Sequence, residues 1–363
     1  MRVIQVIEAI DSQAGSLELL LSGLFAALRG RDVESPVVRL NTKPLSEPCE
    51  AGRTALDAIP FDPRTAAGLF KNADLVHLHG WGNQAARRAA ALARETGTPY
   101  VISPCGALSN KRHVRPTWRE RLRAWFSDKT LLRHAAAITA INDQEQRDLT
   151  AQDVNRSVTL LPYGLTFSDY DGAVDTSDIP DAKANGRRLL MLGPIHPAAG
   201  YFPFLRALAE IGTLSEEWKL VLAGPQSGEW RQMLEAAVRR KGGVDRMKIA
   251  PAADLSAQRV WLAGSTILAD PSLRIQGPVS ILQAVASGVP VLASTCVTPP
   301  GMEEVIRVSR PRREAFKEAL HEMLELSGQE RDAKAAAARK LGRSLFDWPI
   351  LAERYVDFYR RLI

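Results

Sequence analysis

The sequence has few residues that bind metals or form disulfides. Its three cysteines, Cys49, Cys105 and Cys296, lie far apart along 363 residues. An odd and scattered set of this kind argues against a disulfide framework and a zinc site, and it indicates reduced thiols. His77 and His79 alternate on a predicted strand, but no third ligand follows at a suitable spacing. We therefore expect no bound metal.

Long apolar runs are also missing. The longest, near residues 17–28, is interrupted by Glu18 and Gly23, and no secretory leader precedes the first apolar stretch, residues 3–7. These absences predict a cytoplasmic protein without a membrane span. No G-x-G-x-x-G follows the first predicted strand, which argues against a dinucleotide-dependent enzyme. No cofactor is expected.

What the sequence does have is a large hydrophobic fraction organised in alternating patterns. With 45% hydrophobic residues over 363 positions, the chain exceeds what one core usually organises, so we expect two domains. Apolar strand patterns alternate with helical patterns in residues 1–166 and again in 187–344, which predicts an α/β protein with two doubly wound, Rossmann-like domains facing a cleft. Residues 167–186 are rich in Asp, Ser, Gly and Ala. We expect them to form a linker with little that can join a core.

The predicted strands are 3–7, 37–40, 75–78, 100–102, 137–141, 158–161, 188–192, 219–223, 248–250, 266–269 and 289–293. The predicted helices are 16–28, 63–71, 85–95, 143–151, 203–211, 229–240, 256–263 and 279–287. A helical pattern also covers residues 345–363, where Leu351, Tyr355 and Tyr359 fall on one face.

The segment from Asp270 to Val291 has the layout of a ligand crevice. A predicted strand ends at Asp270, a Gly-Pro turn follows at 277–278, and an apolar helix begins at Val279. In a doubly wound domain, the start of such a helix faces a crevice at the carboxyl end of the sheet. This order therefore predicts a binding site for an anionic ligand.

The same segment resembles the donor-binding segment of family-4 glycosyltransferases, which are retaining enzymes of the GT-B fold. The residues that match the family pattern are Pro271, Ser272, Pro278, Ala284, Ala286, Gly288, Pro290 and Val291. Residues 76–81, 100–104, 161–164 and 220–225 resemble four further family segments. The resemblance implies hexosyl transfer from a nucleotide sugar, in bacterial surface polysaccharide or glycolipid assembly. It also implies that the last helix, 345–363, packs back onto the N-terminal domain.

Several charged residues of the family are replaced in this sequence. Pro194 and Ala199 stand where the family has the Arg and Lys that hold the diphosphate. Ile275 and Gln283 replace two glutamates, and Cys105 replaces a histidine beside the reaction centre. Charge-assisted hydrogen bonds are about twice as strong as neutral ones. The resemblance therefore implies a degenerate donor site.

Two groups of candidate residues follow from this alignment. For the catalytic role we expect substitutes near the lost charges: Cys105, His196 and Arg274. The candidates for binding the nucleotide sugar are Gly15, Ser16, Pro194, Ala199, Ile275, Gln276, Gly277 and Gln283. Arg187 and Arg188 are further basic residues that precede a strand of the second domain.

A basic and aromatic segment covers residues 109–133. The residues assigned to the acceptor or membrane side are Lys111, Arg112, Arg115, Trp118, Arg119 and Trp125. Helical spacing of the aromatics gives an amphipathic helix with a cationic side, which suits a lipid-linked or saccharide acceptor and peripheral contact with the inner face of the membrane. A core-facing helix with a solvated basic face is the alternative. No nucleic-acid-binding module accompanies the segment, so nucleic acid is not an expected partner.

Two functions therefore remain open from the sequence. One is hexosyl transfer with a rebuilt donor site. The other is a non-catalytic relative that binds a sugar, a nucleotide or a partner transferase. Charges restored from another loop favour the first, and an apolar cleft favours the second.

Overall fold

The computed structural model describes residues 1–7, 16–40, 58–109, 129–176, 187–193, 199–211, 218–224, 232–233, 235–236, 247–250 and 255–363, with the backbone alone described for 16–19. The predicted helix 229–240 lies almost wholly outside this range. In the part of the chain that the structure describes, no helix is both long and apolar enough to cross a membrane.

The first sheet contains seven described strands, all parallel. They are β1 Val3–Ile7, β2 Val37–Arg39, β3 Ala58–Pro60, β4 Leu75–His79, β5 Tyr100–Ser103, β6 Ala137–Ala140 and β7 Val158–Leu160. Their order in the sheet is β3-β2-β1-β4-β5-β6-β7. The chain starts in the middle at β1, runs to one edge and then returns to β4. The carboxyl ends of β1 and β4 therefore flank a switch point, where doubly wound domains bind ligands.

The second sheet repeats this arrangement with six described strands. They are β8 Arg187–Leu192, β9 Trp218–Ala223, β10 Met247–Ala250, β11 Ile267–Asp270, β12 Val291–Ser294 and β13 Arg307–Ser309. Their order is β10-β9-β8-β11-β12-β13, again all parallel. Its switch point lies between β8 and β11.

Helices connect the strands and cover the sheets. The described helices are α1 Ser16–Arg29, α2 Pro63–Lys71, α3 Gln84–Glu95, α4 Asp143–Ala151, α5 Tyr201–Glu210, α6 Leu255–Ala263, α7 Val279–Ala286, α8 Arg313–Glu325, α9 Gly328–Phe346 and α10 Trp348–Arg360. The two doubly wound domains predicted from the sequence are confirmed. Two short strands, β3 and β13, and the helices α8 and α9 had no sequence prediction. The exact domain boundaries stay predictions.

The first part of the expected linker is not core-free. Residues 167–170 form one turn of 3-10 helix, in which Phe167 and Tyr170 are buried. Phe167 packs at Gly342, where an added Cβ would lie 3.3 Å from its ring and 2.6 Å from Val285 Cγ1. The expectation that residues 167–186 contribute little to a core is therefore wrong for these two aromatics.

The C-terminal helical pattern is two helices rather than one. α9 ends at Phe346, Asp347 is extended, and α10 begins at Trp348 with a proline in its first turn. The break forms because Leu165 pairs with this point of the chain: its amide donates to the carbonyl of Phe346 at 2.9 Å, and its carbonyl accepts from Trp348 at 3.2 Å. α10 then packs against α1, with Trp348 buried beneath Gly23.

The contact between α1 and α10 predicts a steric effect at Gly23. A Cβ there would lie 2.2 Å from Trp348 Nε1 and 2.3 Å from Cδ1. Overpacking of this kind costs about 1–3 kcal/mol, so we expect Gly23→Ala to lower the thermal unfolding midpoint by several degrees. Gly68→Ala is the matched control, because a Cβ there meets nothing within 4 Å and alanine favours a helix. A Gly23→Ala protein as stable as the Gly68→Ala protein would contradict this packing.

Candidate functional site

The N-terminal side of the site is a chain of buried hydrogen bonds at the carboxyl end of β1, β4 and β5. His79 contacts Tyr163 Oη through Nδ1 at 2.8 Å and Gln5 Oε1 through Nε2 at 2.8 Å. His77 contacts Tyr359 Oη through Nδ1 at 2.7 Å and Ser103 Oγ through Nε2 at 2.7 Å. All four ring nitrogens are therefore occupied by protein groups.

One direction of donation satisfies this whole chain. Gln5 Oε1 accepts only, so His79 carries its proton on Nε2, and its Nδ1 accepts from the Tyr163 hydroxyl. Gln5 Nε2 lies 3.5 Å from Tyr359 Oη, which then donates to His77 Nδ1. His77 donates through Nε2 to Ser103. This assignment requires both imidazoles to be neutral.

Burial favours that neutral state. Desolvation lowers the pKa of His77 from 6.5 to about 3. Desolvation, with repulsion from His77, holds the pKa of His79 well below its usual value. Neither ring is a proton donor or acceptor for a substrate at neutral pH, and both are structural groups at this position.

Cys105 lies at a strained turn next to the histidine chain. Its φ is 52°, and Gly106 follows with a φ of 86°. Cys105 Sγ lies 3.4 Å from Tyr163 Oη, and desolvation together with nearby Glu145 raises the pKa of the thiol to about 12. The side chain is thus a neutral thiol that is neither a nucleophile nor a base at neutral pH.

Glu145 fixes this turn from below. It is fully buried in α4, and its carboxylate accepts from Gly106 N at 2.5 Å and from Ile141 N at 2.9 Å. Desolvation raises its pKa from 4.5 to about 7, against the lowering effect of these two amides. Glu145 therefore holds the position of Cys105 through the backbone.

The C-terminal side of the site is a loop between β11 and α7 that is fixed by Asp270. One carboxylate oxygen accepts from Ser272 Oγ at 2.6 Å, and the other accepts from Ser280 Oγ at 2.5 Å. Gln276 donates through Nε2 to Ser272 Oγ at 2.9 Å. The loop is therefore ordered by its own side chains.

Two helices begin at this edge of the second sheet without a capping side chain. α7 follows Pro278 and α5 follows Gly200, and neither start is capped by a side chain of a described residue. The start of α5 lies against the loop that leads into α7, since a Cβ at Gly200 would clash with the backbone of Pro271 at the beginning of that loop. Uncapped helix N-termini have backbone N–H groups and a partial positive charge for an anion.

The predicted donor-side residues lie around these helix starts. Ile275 is 4% exposed and Gln283 is 1% exposed, and Gln283 Nε2 donates to Gln258 Oε1 at 2.9 Å. Arg274 is half-buried beside Ile275, and Gln276 is exposed. The remaining described candidates are Gly277 in the same loop, Ala199 before α5 and Ser16 at the start of α1.

Several predicted residues lie outside the described part of the chain. They are Gly15, Pro194, His196, Lys111, Arg112, Arg115, Trp118, Arg119 and Trp125. Arg187 and Arg188 are described, but they lie at the start of β8, the end opposite the crevice. Arg187 stacks on Trp218, with its guanidinium carbon 5.7 Å from the ring centre. These two arginines are therefore not substitutes for the lost donor-site charges.

The two domains meet in an apolar contact next to the donor side. Leu20, Leu24, Ile275 and Val279 belong to one continuous cluster of buried side chains. Leu20 Cδ1 lies 3.2 Å from the position that a Cβ would occupy at Gly277. The isoleucine at 275 is thus part of the contact between α1 and the loop before α7.

The sequence reasoning missed most of the buried polar chain. It did not single out Gln5, Thr139 or Glu145, and it named Tyr359 only as part of a helical face and Tyr163 only within the segment 161–164. Gln5 and Thr139 interrupt otherwise apolar strands, VIQVI and AITA. A polar residue in a fully buried strand needs a hydrogen-bond partner, and that rule was the available signal.

Two family descriptions match the chain, one for each half. Residues 8–164 match the glycosyl transferase 4-like domain, and residues 186–326 match the glycosyl transferases group 1 domain. Together they cover the second sheet and every described strand of the first sheet except β1. The chain belongs to the glycosyltransferases of GT-B type.

Known proteins agree with this family. The chain is 22% identical over 312 residues to a GDP-mannose:cellobiosyl-diphosphopolyprenol alpha-mannosyltransferase of Xanthomonas campestris, covering 83% of this chain and 77% of that protein. HepE of Anabaena, solved with UDP, is 16% identical with a TM-score of 0.76 over 99% of this chain and 100% of that one. Sucrose-phosphate synthase of Thermosynechococcus elongatus is 18% identical with a TM-score of 0.72, covering 100% and 99%. At these identities the structures show the fold.

The buried titrating groups predict a pH dependence of stability. The pKa of His77 is about 3 in the folded chain against 6.5 for a free side chain, and the pKa of His79 is also lowered. As the pH drops below 6.5, both histidines take up protons in the unfolded chain before the folded one, which destabilises the fold. Glu145, with a folded pKa of about 7 against 4.5, takes up its proton first in the folded chain and offsets one histidine. We expect the free energy of unfolding to fall by about 1.4 kcal/mol per pH unit between pH 6.5 and 4.5.

A histidine variant tests this balance by chemical denaturation at several pH values. In His79→Gln the opposite effects of His77 and Glu145 cancel. The free energy of unfolding should therefore not change with pH between 6.5 and 4.5, even though the variant is less stable. His321→Gln is the control, since His321 is exposed beside Glu325, and its slope should match the parent protein. An unchanged slope in His79→Gln would show that His79 does not bear this burial cost.

Proposed function

We propose that the chain transfers a hexosyl residue, with retention, from a nucleotide sugar to a lipid-linked or saccharide acceptor in bacterial surface polysaccharide or glycolipid assembly. The supporting observation is that two helices, α5 and α7, start at the carboxyl edge of the second sheet without a cap from a described side chain. Their amides suit the diphosphate of a nucleotide sugar, whose negative charge grows as the glycosidic bond breaks.

Relatives support this choice of substrates. HepE of Anabaena has been solved with UDP and with UDP-glucose. The name of the Xanthomonas relative specifies a GDP-mannose donor and a diphosphopolyprenol-linked acceptor. These are properties of those proteins. For this chain they favour a nucleotide diphosphate sugar as the donor and a lipid diphosphate as one class of acceptor.

The proposed roles follow from position and chemistry. Backbone amides at the start of α7, together with the basic side chains of Arg274 and His196, neutralise the diphosphate. Gln283 hydrogen-bonds the ribose, for which it either gives up its hydrogen bond to Gln258 Oε1 or uses its remaining polar atoms. Cys105 lines the reaction centre as a neutral thiol, with its turn positioned by Glu145. The side chain of Ile275 contacts the sugar through its apolar surface.

The apolar contact between the domains favours a second candidate. Ile275 replaces a family carboxylate with a buried methyl surface, and it shares a cluster with Leu20 of α1. A non-catalytic protein that binds a nucleotide, a sugar or a partner transferase needs no carboxylate there. This candidate predicts donor binding without turnover.

Calorimetry with nucleotide diphosphates and common nucleotide sugars, paired with an assay of nucleotide release, separates the two candidates. We expect binding in the cleft that Gln283→Ala weakens about tenfold, the effect of losing one or two hydrogen bonds. Sugar transfer that His196→Ala or Arg274→Ala abolishes supports the enzyme. Binding without any release supports the non-catalytic candidate. No binding of any nucleotide contradicts the enzyme and, within the second candidate, leaves only a protein that binds a sugar or a partner transferase.

Restoring the family charges gives a complementary test of the donor side. The combined variant Pro194→Arg, Ala199→Lys, Ile275→Glu and Gln283→Glu should bind nucleotide sugars at least tenfold more tightly, because each group acts on the diphosphate or the sugar. Leu273→Glu is the control for the carboxylate at 275, since it puts the same negative charge on an exposed position of the same loop. Folding is checked by the thermal midpoint, with Gln283→Glu alone as the milder variant. Equal affinities in the restored and control proteins would place the donor elsewhere.

The basic segment predicts salt-sensitive binding to anionic lipid. Arg119, Arg121 and Arg123 changed to Glu should abolish sedimentation with vesicles that contain phosphatidylglycerol. The control reverses three exposed cations of the same domain, Arg29, Arg64 and Lys71, and should sediment much more than the first variant. Equal sedimentation with neutral and anionic vesicles would contradict an electrostatic membrane contact.

A further inference from the structure

A basic groove lies at the end of α7 that points away from the crevice. It encloses about 470 Å³ and is lined by residues that include Gly288, Asp332, Ala336, Arg339, Lys340 and Arg343. α7 has eight residues and is about 12 Å long, and Gly288 follows its last turn. The groove is therefore a separate feature from the uncapped start of α7, and it does not depend on the proposed transfer reaction.

Helical spacing places the cations of the groove on one face. Residues 332, 336, 339 and 343 are three, four, seven or eleven positions apart on α9, which brings them to the same side. Lys340 follows Arg339 directly and lies one turn from both 336 and 343. The floor is made of small residues. A Cβ built at Gly288 meets nothing within 4 Å, so space is open in front of the backbone there.

Two of the cations already hold an oxyanion. Arg339 Nη2 donates to Asp171 Oδ1 at 2.7 Å, and Arg343 Nη2 donates to the two oxygens of the same carboxylate at 2.6 and 2.8 Å. Two guanidinium groups are thus spaced to share one anionic group. Their side chains are 39% and 43% exposed, and that of Asp171 is 47% exposed. An ion pair this exposed contributes little to stability, so a ligand of higher charge competes with it.

The charges of the groove favour phosphate over carboxylate ligands. Arg339, Lys340 and Arg343 give three positive charges against Asp171 and Asp332. A phosphate monoester carries nearly two charges at neutral pH and has three acceptor oxygens that match the arginine fork. The volume of about 470 Å³ lies within the usual range for small-molecule sites.

The carboxyl end of α7 is the unfavourable element for an anion, since a helix ends in a partial negative charge. Its last carbonyls are already bonded, however. The amides of Ser287, Gly288 and Val289 donate to Gln283, Val285 and Ala284 at 2.9 to 3.1 Å. The three cations therefore dominate the electrostatics of the groove.

We propose that this groove binds a phosphate-bearing ligand, with Arg339 and Arg343 donating to the phosphate oxygens in place of Asp171 and Lys340 adding the third positive charge. The phosphate belongs either to a soluble molecule or to a phospholipid headgroup. Ligand binding releases Asp171 from the two arginines. The groove is then an anion site on the outer face of the second domain.

Titration calorimetry with inorganic pyrophosphate tests this site through opposite changes. Asp171→Asn removes the competing carboxylate and should tighten pyrophosphate binding about threefold or more. Ala336→Glu puts a carboxylate on an exposed lining position and should weaken binding about tenfold. Ala337→Glu makes the same change one residue away, where the side chain is exposed but outside the lining, and should have little effect. Equal effects of the two glutamates, or weaker binding in Asp171→Asn, would overturn the proposal.

Vesicles distinguish the two sources of phosphate. Sedimentation is compared for phosphatidylcholine vesicles with and without phosphatidic acid. Loss of phosphatidate-dependent binding in Ala336→Glu, but not in Ala337→Glu, identifies a headgroup site. If the two variants differ in pyrophosphate binding but not in vesicle binding, the ligand is a soluble molecule. No difference between the two variants in either measurement refutes the phosphate site.

Discussion

The first domain depends on keeping two neighbouring histidines uncharged inside the protein. His77 and His79 are buried side by side on β4, with ring centres 4.0 Å apart. Burial disfavours the charged form of each ring, and a charge on one ring would repel a charge on the other. In the neutral state each ring has one donating and one accepting nitrogen. Gln5 Oε1 makes Nε2 the donor of His79, so the Tyr163 hydroxyl donates to Nδ1. Because Tyr359 belongs to α10, its contact with His77 also holds the last helix to the first sheet.

The architecture could be predicted because its signals are local. Parallel strands that are buried on both faces are short apolar runs, and the sequence contains them at 3–7, 75–78 and 100–102. β3 and β13 were missed because AIP and RVS each contain a single β-branched residue, whereas the equally short VVR and VTL contain two. The break at Asp347 depends on pairing with Leu165, a contact between distant parts of the chain. The burial of Phe167 and Tyr170 was not predicted because a segment rich in Asp and Ser was treated as uniformly polar.

The candidate site shows a conflict between its backbone and its side chains. The backbone leaves two helix starts at this edge, after Gly200 and Pro278, without a cap from a described side chain, which is what an anionic ligand needs. The side chains around them are apolar or neutral, notably Ile275, Gln283 and Cys105. The alignment located these replacements by sequence alone. It did not show that Ile275 belongs to the contact with Leu20 or that Gln283 is bonded to Gln258, because both depend on how separate elements pack.

The pairing of Leu165 with the Phe346–Trp348 segment has a mechanical consequence. The chain passes between the two domains twice, once after Leu165 and once at Asp347, and hydrogen bonds join these two passages to each other. Phe167 N adds a third bond, donating to Asp347 Oδ1 at 3.1 Å. Two crossings tied together at one place act as a single pivot. A rotation of one sheet relative to the other about this pivot would leave these hydrogen bonds intact. Sliding of one sheet past the other would instead have to break the hydrogen bonds that join the two passages.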